Sequence, residues 1–195
     1  MKKTLSIFLL FFFTNPAHAL DWRTKNLSDP FTDVSVCRVE FGGDFSRAVA
    51  LGFQGGIRGL YFIAEKRGDE IRAGFMSDPP LPIPGDIQVR VDQNQLHTIT
   101  AADTPLDLSP SMNIPNLENL PQDKKLIIEQ SIKNSMSLAS PYRLFSGEKA
   151  SALLNEIISG KKVIWRAVTV NAAASLTGEI RVKGLQSALN KCGIL

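Results

Sequence analysis

Two stretches that alternate residue by residue, "EIRAGFMS" from Glu70 and "DIQVRVDQ" from Asp86, flank a run with prolines at 79, 80, 82 and 84. The first sets Ile71, Ala73 and Phe75 against Arg72, Gly74 and Met76, and the second sets Ile87, Val89 and Val91 against Gln88, Arg90 and Asp92. A period of two over this length is the signature of a half-buried strand in an antiparallel sheet with one wet face. Proline holds φ near about −65° and has no amide proton, so Asp78–Pro84 is excluded from a central ladder and runs outside the sheet as stiff, polyproline-like chain. A plain hairpin connector needs only about two to five residues and favours Gly or Asn. This one instead carries Leu81 and Ile83. Two readings follow. Either both aliphatics fold back to cap the end of the sheets, or Asp78, Pro79, Pro80, Leu81, Pro82, Ile83 and Pro84 form a docking edge that is rigid before it meets a partner.

The same periodicity governs the region upstream. "VSVCRVEF" places Cys37, Val39 and Phe41 on one face, and "AVALGF" and "GLYFIAEK" add two further short runs rich in β-branched and aromatic residues. "QNQ" reads as a tight turn from Asp92 into "LHTIT", which makes a hairpin. The glycines of "GFQGGIRG" fit a bulged or sharply turned hairpin; they lack the following helix and the lysine of a phosphate loop. From Asp103 to Pro121 prolines, asparagines and isolated leucines mark an irregular surface connection.

Helical spacing takes over after Pro121. "PQDKKLIIEQSIKNSM" aligns Ile128, Ile132 and Met136 along one row, with Pro121 and Asp123 near its start. "SGEKASALLNEIISGKK" has an apolar stripe of Ala150, Leu153, Leu154, Ile157 and Ile158 between Ser146, a candidate N-cap, and Gly160, a candidate stop. "KVIWRAVTV" and "LTGEIRVKG" are strands joined by "NAAAS", and Leu185, Ala188, Leu189 and Cys192 recur at the spacing of a terminal helix with a core face. Helices are too few to cover both faces of a parallel sheet. The expected class is therefore mainly β or α+β: one domain, an antiparallel β-sandwich or rolled sheet with two or three peripheral helices, including a C-terminal one.

Residues 1–19 take no part in that domain. Lys2 and Lys3, the apolar run "LSIFLLFFF" and the small-residue site "NPAHA", with Ala17 and Ala19 at the −3 and −1 places, read as a signal peptide cleaved before Leu20. The apolar run is about half of the roughly 20 residues that a membrane span needs. The mature protein is thus expected in the periplasm or outside the cell, without stable membrane insertion. Removal of Lys2 and Lys3 lowers the formal net charge from +3 to +1, and without a basic run nothing favours nucleic acid. Cys37 and Cys192 are the two cysteines of a chain sent to an oxidising compartment, so a bond between them is expected. By the chain-entropy argument it contributes roughly 4–5 kcal/mol. Two free thiols or intermolecular pairing are the competing readings.

Catalytic chemistry has little to work with. His97 is the only histidine after the signal peptide, and it stands within a strand pattern rather than beside a nucleophile. With one histidine and both cysteines engaged, an ordinary zinc ligand set is not available, and no cofactor motif is present. Asp78, Asp86, Asp92, Asp103 and Asp107 cluster near the Pro-rich half, where two carboxylates in one cleft could divide acid and base roles. Their places beside prolines and at strand ends equally fit turn-forming side chains.

The segment "LLNEIISGKKVIWRAVTVNAAASLTGEIRVKGLQSALNKCG" resembles the end of small exported β-sandwich proteins of the invasion-associated locus B type, through Gly160, Gly184, Leu185, Ala188 and Leu189. That resemblance covers about the last quarter of the chain and implies a non-catalytic periplasmic envelope or host-interaction accessory. The expected function is a binding or accessory protein that meets an envelope or secreted protein. The alternatives are a carboxylate-dependent envelope hydrolase and a small exported inhibitor that uses its Pro-rich loop as a plug.

Overall fold

The computed structural model describes residues 22–31, 33–41, 59–108, 120–168 and 177–195. Two antiparallel sheets share one apolar core. The first has five strands in the order β1 (Trp22–Asp29), β2 (Val34–Phe41), β3 (Gly59–Arg67), β4 (Glu70–Asp78) and β7 (Tyr142–Ser146). The second has four, in the order β6 (His97–Ile99), β5 (Asp86–Val91), β8 (Lys162–Val168) and β9 (Thr177–Arg181). Three α-helices accompany them: α1 (Gln122–Ala139), α2 (Gly147–Ser159) and α3 (Leu185–Lys191). Two single 3₁₀ turns, Ala101–Asp103 and Leu106–Leu108, precede α1. The expected class, an antiparallel sandwich with peripheral helices and a C-terminal helix, is the one observed. The signal peptide, "AVALGF" and "NAAAS" lie outside the described residues.

Register shows how alternation builds the core. Phe41 stands opposite Phe62, Phe62 opposite Phe75, and Val39 opposite Ala64, so the first sheet offers one continuous aromatic and aliphatic face. Trp22 packs against both Phe41 and Phe62, Phe62 against Phe75, and Phe75 against Trp165, and the last contact, with ring centroids 5.1 Å apart, joins the first sheet to β8 of the second. From the second sheet Ile87, Val89, Val91, Val163, Ala167 and Ile180 answer that face. The apolar stripe of α2 buries Ala150, Leu153, Leu154 and Ile157, and Leu185, Ala188 and Leu189 of α3 are buried as their spacing requires.

The disulfide between Cys37 and Cys192 is formed, with Cα atoms 5.3 Å apart and 155 residues between the two positions. It pins the end of α3 to the core face of β2. Lys66 supports the same junction by donating to the Gly193 carbonyl at 2.8 Å.

Several expectations need correction. The alternation in "EIRAGFMS" implied one wet face, yet β3 and β4 are buried on both: Ile63, Glu65, Arg72 and Gly74 lie on the side away from the core and are buried too. The segment 100–108 wraps around β7 onto that side. Its Thr104 hydroxyl accepts the Leu144 amide at 3.2 Å at the edge of the strand, and Asp107 accepts Arg67 and Arg72 at 2.7 and 3.1 Å. Glu65 in turn accepts Arg38 Nε at 2.8 Å, so the buried charges on this face are paired, as low-dielectric surroundings require. The turn after β5 is longer than "QNQ" and spans 92–96. Ser146 makes no side-chain cap for α2. Gly160 does end that helix, but with φ of −84° it is there for space: a Cβ would meet Val91 Cγ1 of β5.

Gly74 is the tightest point of the sheet. A Cβ there would run into the Arg143 carbonyl oxygen and reach within 2.9 Å of Leu144 Cα, both backbone atoms of the neighbouring β7. The strand pair cannot yield without breaking its ladder. Gly74→Ala is therefore expected to cost about 3 kcal/mol, the upper range for overpacking, measured as a lowered urea midpoint.

Candidate functional site

Among the described residues, the Pro-rich connection between β4 and β5 takes the chain from the first sheet to the second and carries the exposed Leu81 on a proline-stiffened backbone. Asp78 still belongs to β4, opposite Gly59, and Asp86 opens β5, opposite Val168. Between them the chain is outside both ladders, as the prolines demand. The backbone is pinned more closely than a bare polyproline run would be. Leu81 N–H donates to the Pro79 carbonyl at 2.7 Å, the Ser77 hydroxyl donates to the Leu81 carbonyl, and Ile83 N–H donates to Ser140 O at 3.2 Å. The Asp78–Pro79 peptide bond is cis.

The two aliphatics of this segment divide. Ile83 is 1 % exposed and belongs to the core, whereas Leu81 is 42 % exposed. Capping by both residues is thus not what forms: Ile83 alone caps, and Leu81 projects. The reason lies in the backbone. The bond from Ile83 to Ser140 aims Ile83 inward against β7 and the end of α1, and the turn at Pro79–Leu81 turns Leu81 away from it.

Arg143 holds this arrangement together. It is wholly buried, on the core side of β7, and its guanidinium donates to five backbone carbonyls. Nε reaches Gly85 O at 3.0 Å and Nη2 reaches Ile83 O at 2.6 Å, both in the Pro-rich connection. Nη1 reaches Tyr142 O at 2.7 Å and, at 3.3 and 3.4 Å, Ser137 O and Ser140 O at the end of α1. A helix C-terminus carries unpaired carbonyls and partial negative charge, so a cation is favoured there. Burial pulls the guanidinium below its usual value, opposed by the charge on Asp86. Arginine remains protonated regardless, and its planar fork of donors matches carbonyls converging from several sides.

The end of α1 therefore sits beside the Pro-rich segment. Leu138 precedes Ser140 by two residues and is 62 % exposed, as Leu81 precedes Ile83 on the other partner of that bond. Further along α1, Leu126 and Ile127 are exposed as well, and Ile128, Ile132 and Met136 form a half-buried row. The exposed leucines of α1 and the role of Arg143 escaped the sequence reading. Leu126, Ile127 and Leu138 could have been found as apolar residues off the Ile128–Met136 row.

Three of the five aspartates are taken up by turns and ion pairs. Asp92 accepts the Lys161 and Lys162 amides, the latter at 2.8 Å, and so fixes the turn from α2 into β8. Asp103 accepts Thr100 and the Lys149 ammonium, the latter at 2.7 Å. Burial by itself would raise its carboxyl, but these bonds outweigh it and hold the group below the usual carboxylate range. Asp107 is bonded to Arg67 and Arg72. His97 lies in β6 and pairs with Glu156 of α2 at 2.5 Å, a contact that ties the edge of the second sheet to the helix. Among the described residues no group of three or more His, Cys, Asp or Glu is placed to hold a metal ion, and no helix is long and apolar enough to cross a membrane.

Fold and site together define a disulfide-closed, two-sheet antiparallel β protein with a rigid apolar edge where its sheets connect. No protein-family model matches the chain, nor does any curated protein or solved structure.

Two stability outcomes follow from this geometry. Ile83→Ser should cost about 3–5 kcal/mol, as for other truncations of buried aliphatics, while Leu81→Ser should stay within about 0.5 kcal/mol. Equal losses in urea denaturation would contradict the division described above. Arg143→Met takes a donor from five carbonyls, of which Ile83 O and Gly85 O depend on it most, and should cost at least about 3 kcal/mol, whereas Arg143→Lys, with three donors, should recover part of that loss.

Proposed function

We propose that this is an exported envelope protein of the periplasm that holds a protein partner and performs no chemistry of its own. The observation that carries the reading is the apolar edge itself: Leu81 and Leu138 are exposed on either side of the Ile83–Ser140 hydrogen bond, on backbone that Arg143 already holds. A preordered edge loses little conformational entropy when it docks, and clustered exposed aliphatics are a feature of interaction surfaces rather than of idle ones. Ile127 and Leu126 extend it along α1. The Cys37–Cys192 bond supports export, since such bonds persist in oxidising compartments. The resemblance of the C-terminal segment to invasion-associated locus B proteins points the same way. Asp92, Asp103 and Asp107 are spent on turns and ion pairs, which speaks against the hydrolase alternative.

The test is capture from periplasmic extract with the wild-type protein and with Leu81→Ser/Leu138→Ser as bait. Wild type, its intact mass starting at Leu20, should retain a defined protein that the double variant loses at an unchanged melting temperature. Retention of the same protein by the double variant would overturn the docking edge, and hydrolysis of an envelope polymer by purified wild type would overturn the non-catalytic reading.

A further inference from the structure

The outer face of the second sheet carries a half-open groove of about 880 Å3 that shares no residue with the loop and helix above. Its size lies within the range of small-molecule sites. Register defines its floor. Arg90 of β5 stands opposite Ile164 of β8, which stands opposite Glu179 of β9, and Leu96, just before β6, continues this row on the other side. In the next row Gln88 stands opposite Arg166, and Arg166 opposite Thr177. Ile164 and Leu96 are 42 % and 46 % exposed, and the hydrocarbon stem of Arg90 lies between their positions, so the row carries an apolar strip from Leu96 across β5 to β8.

Charge is distributed unevenly over that strip. Arg90 and Arg166 are diagonal neighbours on adjacent strands, a spacing of about 7–8 Å within reach of long side chains. Among the described residues neither has a carboxylate partner. Arg166 Nε donates to Gln88 Oε1 at 2.6 Å, which orients the guanidinium, and Arg90 Nη2 donates to the Gln93 carbonyl at 3.3 Å. Two like charges at neighbouring positions of an exposed face repel each other and favour a shared anion. At the far end of the apolar row Glu179, paired with Lys162 at 3.3 Å, repels a second negative group. The groove therefore selects one anionic head with an uncharged body.

We propose that this groove binds a small anionic amphiphile, a carboxylate on an aliphatic body, with the head between Arg90 and Arg166 and the body along Ile164 and Leu96. Two guanidiniums around one carboxylate give charge-assisted hydrogen bonds, and the aliphatic strip supplies the burial that a bare carboxylate cannot. A polyanion meets Glu179, and a neutral apolar chain leaves the two arginines facing each other.

Because the Trp165 ring packs on Phe75 at the core side of the sheet, binding is followed by isothermal titration calorimetry. The mature protein is titrated with decanoate below its micelle concentration, with butyrate, with decanol and with a glutamate-rich peptide. Saturable decanoate binding at one site is expected, with butyrate and decanol at least about tenfold weaker, and the affinity should fall with added salt because both arginines are exposed. Arg90→Gln and Arg166→Gln should each weaken decanoate at least about tenfold, the loss expected of one charge-assisted contact. Arg166→Lys should restore part of it. Ile164→Glu, a wrong-sign charge at an exposed position, should abolish binding without changing the melting temperature. Decanoate binding that none of these changes alters, the absence of saturation, or preference for the acidic peptide would each overturn the proposal.

Discussion

A single buried guanidinium stands at the join of the two sheets. Arg143 has no carboxylate within ion-pair distance among the described residues; what satisfies it is a ring of carbonyls from the Pro-rich connection, the end of α1 and its own strand. Burying a cation is costly unless its donors are filled, and backbone carbonyls fill them only if the chain segments that own them are held in place. The dependence is mutual. Prolines stiffen the connection, the helix end offers carbonyls that nothing in the helix can use, and the arginine closes both onto β7. Ile83 is driven inward by that closure, while Leu81, whose amide turns back onto the Pro79 carbonyl, stays outside.

Much of the fold was legible in the sequence, for reasons that can be named. β2, β4, β5 and β8 each alternate over six residues or more, and α2 and α3 carry apolar stripes at helical spacing, so their burial follows from periodicity. The cysteines could be paired because compartment and count agree. β1 was not legible. It is an edge strand exposed at all but its first position, and "WRTKNLSD" has no apolar period for a sheet to impose. The second buried face of β3 and β4 was hidden for a different cause: what covers it is a segment more than twenty residues downstream, and no local pattern announces a segment folding back. Arg143 was invisible as well, since an arginine in a short strand reads as a surface residue.

The sheets are consequently unequal. The first spends both faces on structure, one on the shared core and one on a layer of paired charges under residues 100–108. The second keeps its outer face open, and Ile164 and Val168 remain exposed there beside Arg90 and Arg166. An antiparallel sheet can afford this because its backbone is paired in plane whatever lies above it. Among the described residues, the connection between the sheets and the outside of the smaller one are two surfaces available to other molecules.

The bond between Cys37 and Cys192 also alters what it means for this chain to be cut. It turns everything between those positions into a covalent ring that holds seven of the nine described strands entire and all three described helices. A protease that nicks one loop of the ring opens it without separating anything: both new ends stay tied through sulfur to the same molecule, and the sheets on either side of the nick keep their partners at the high effective concentration of a tether. A protein built this way can survive a single break in the ring as one piece, and only cleavage and reduction together release its halves.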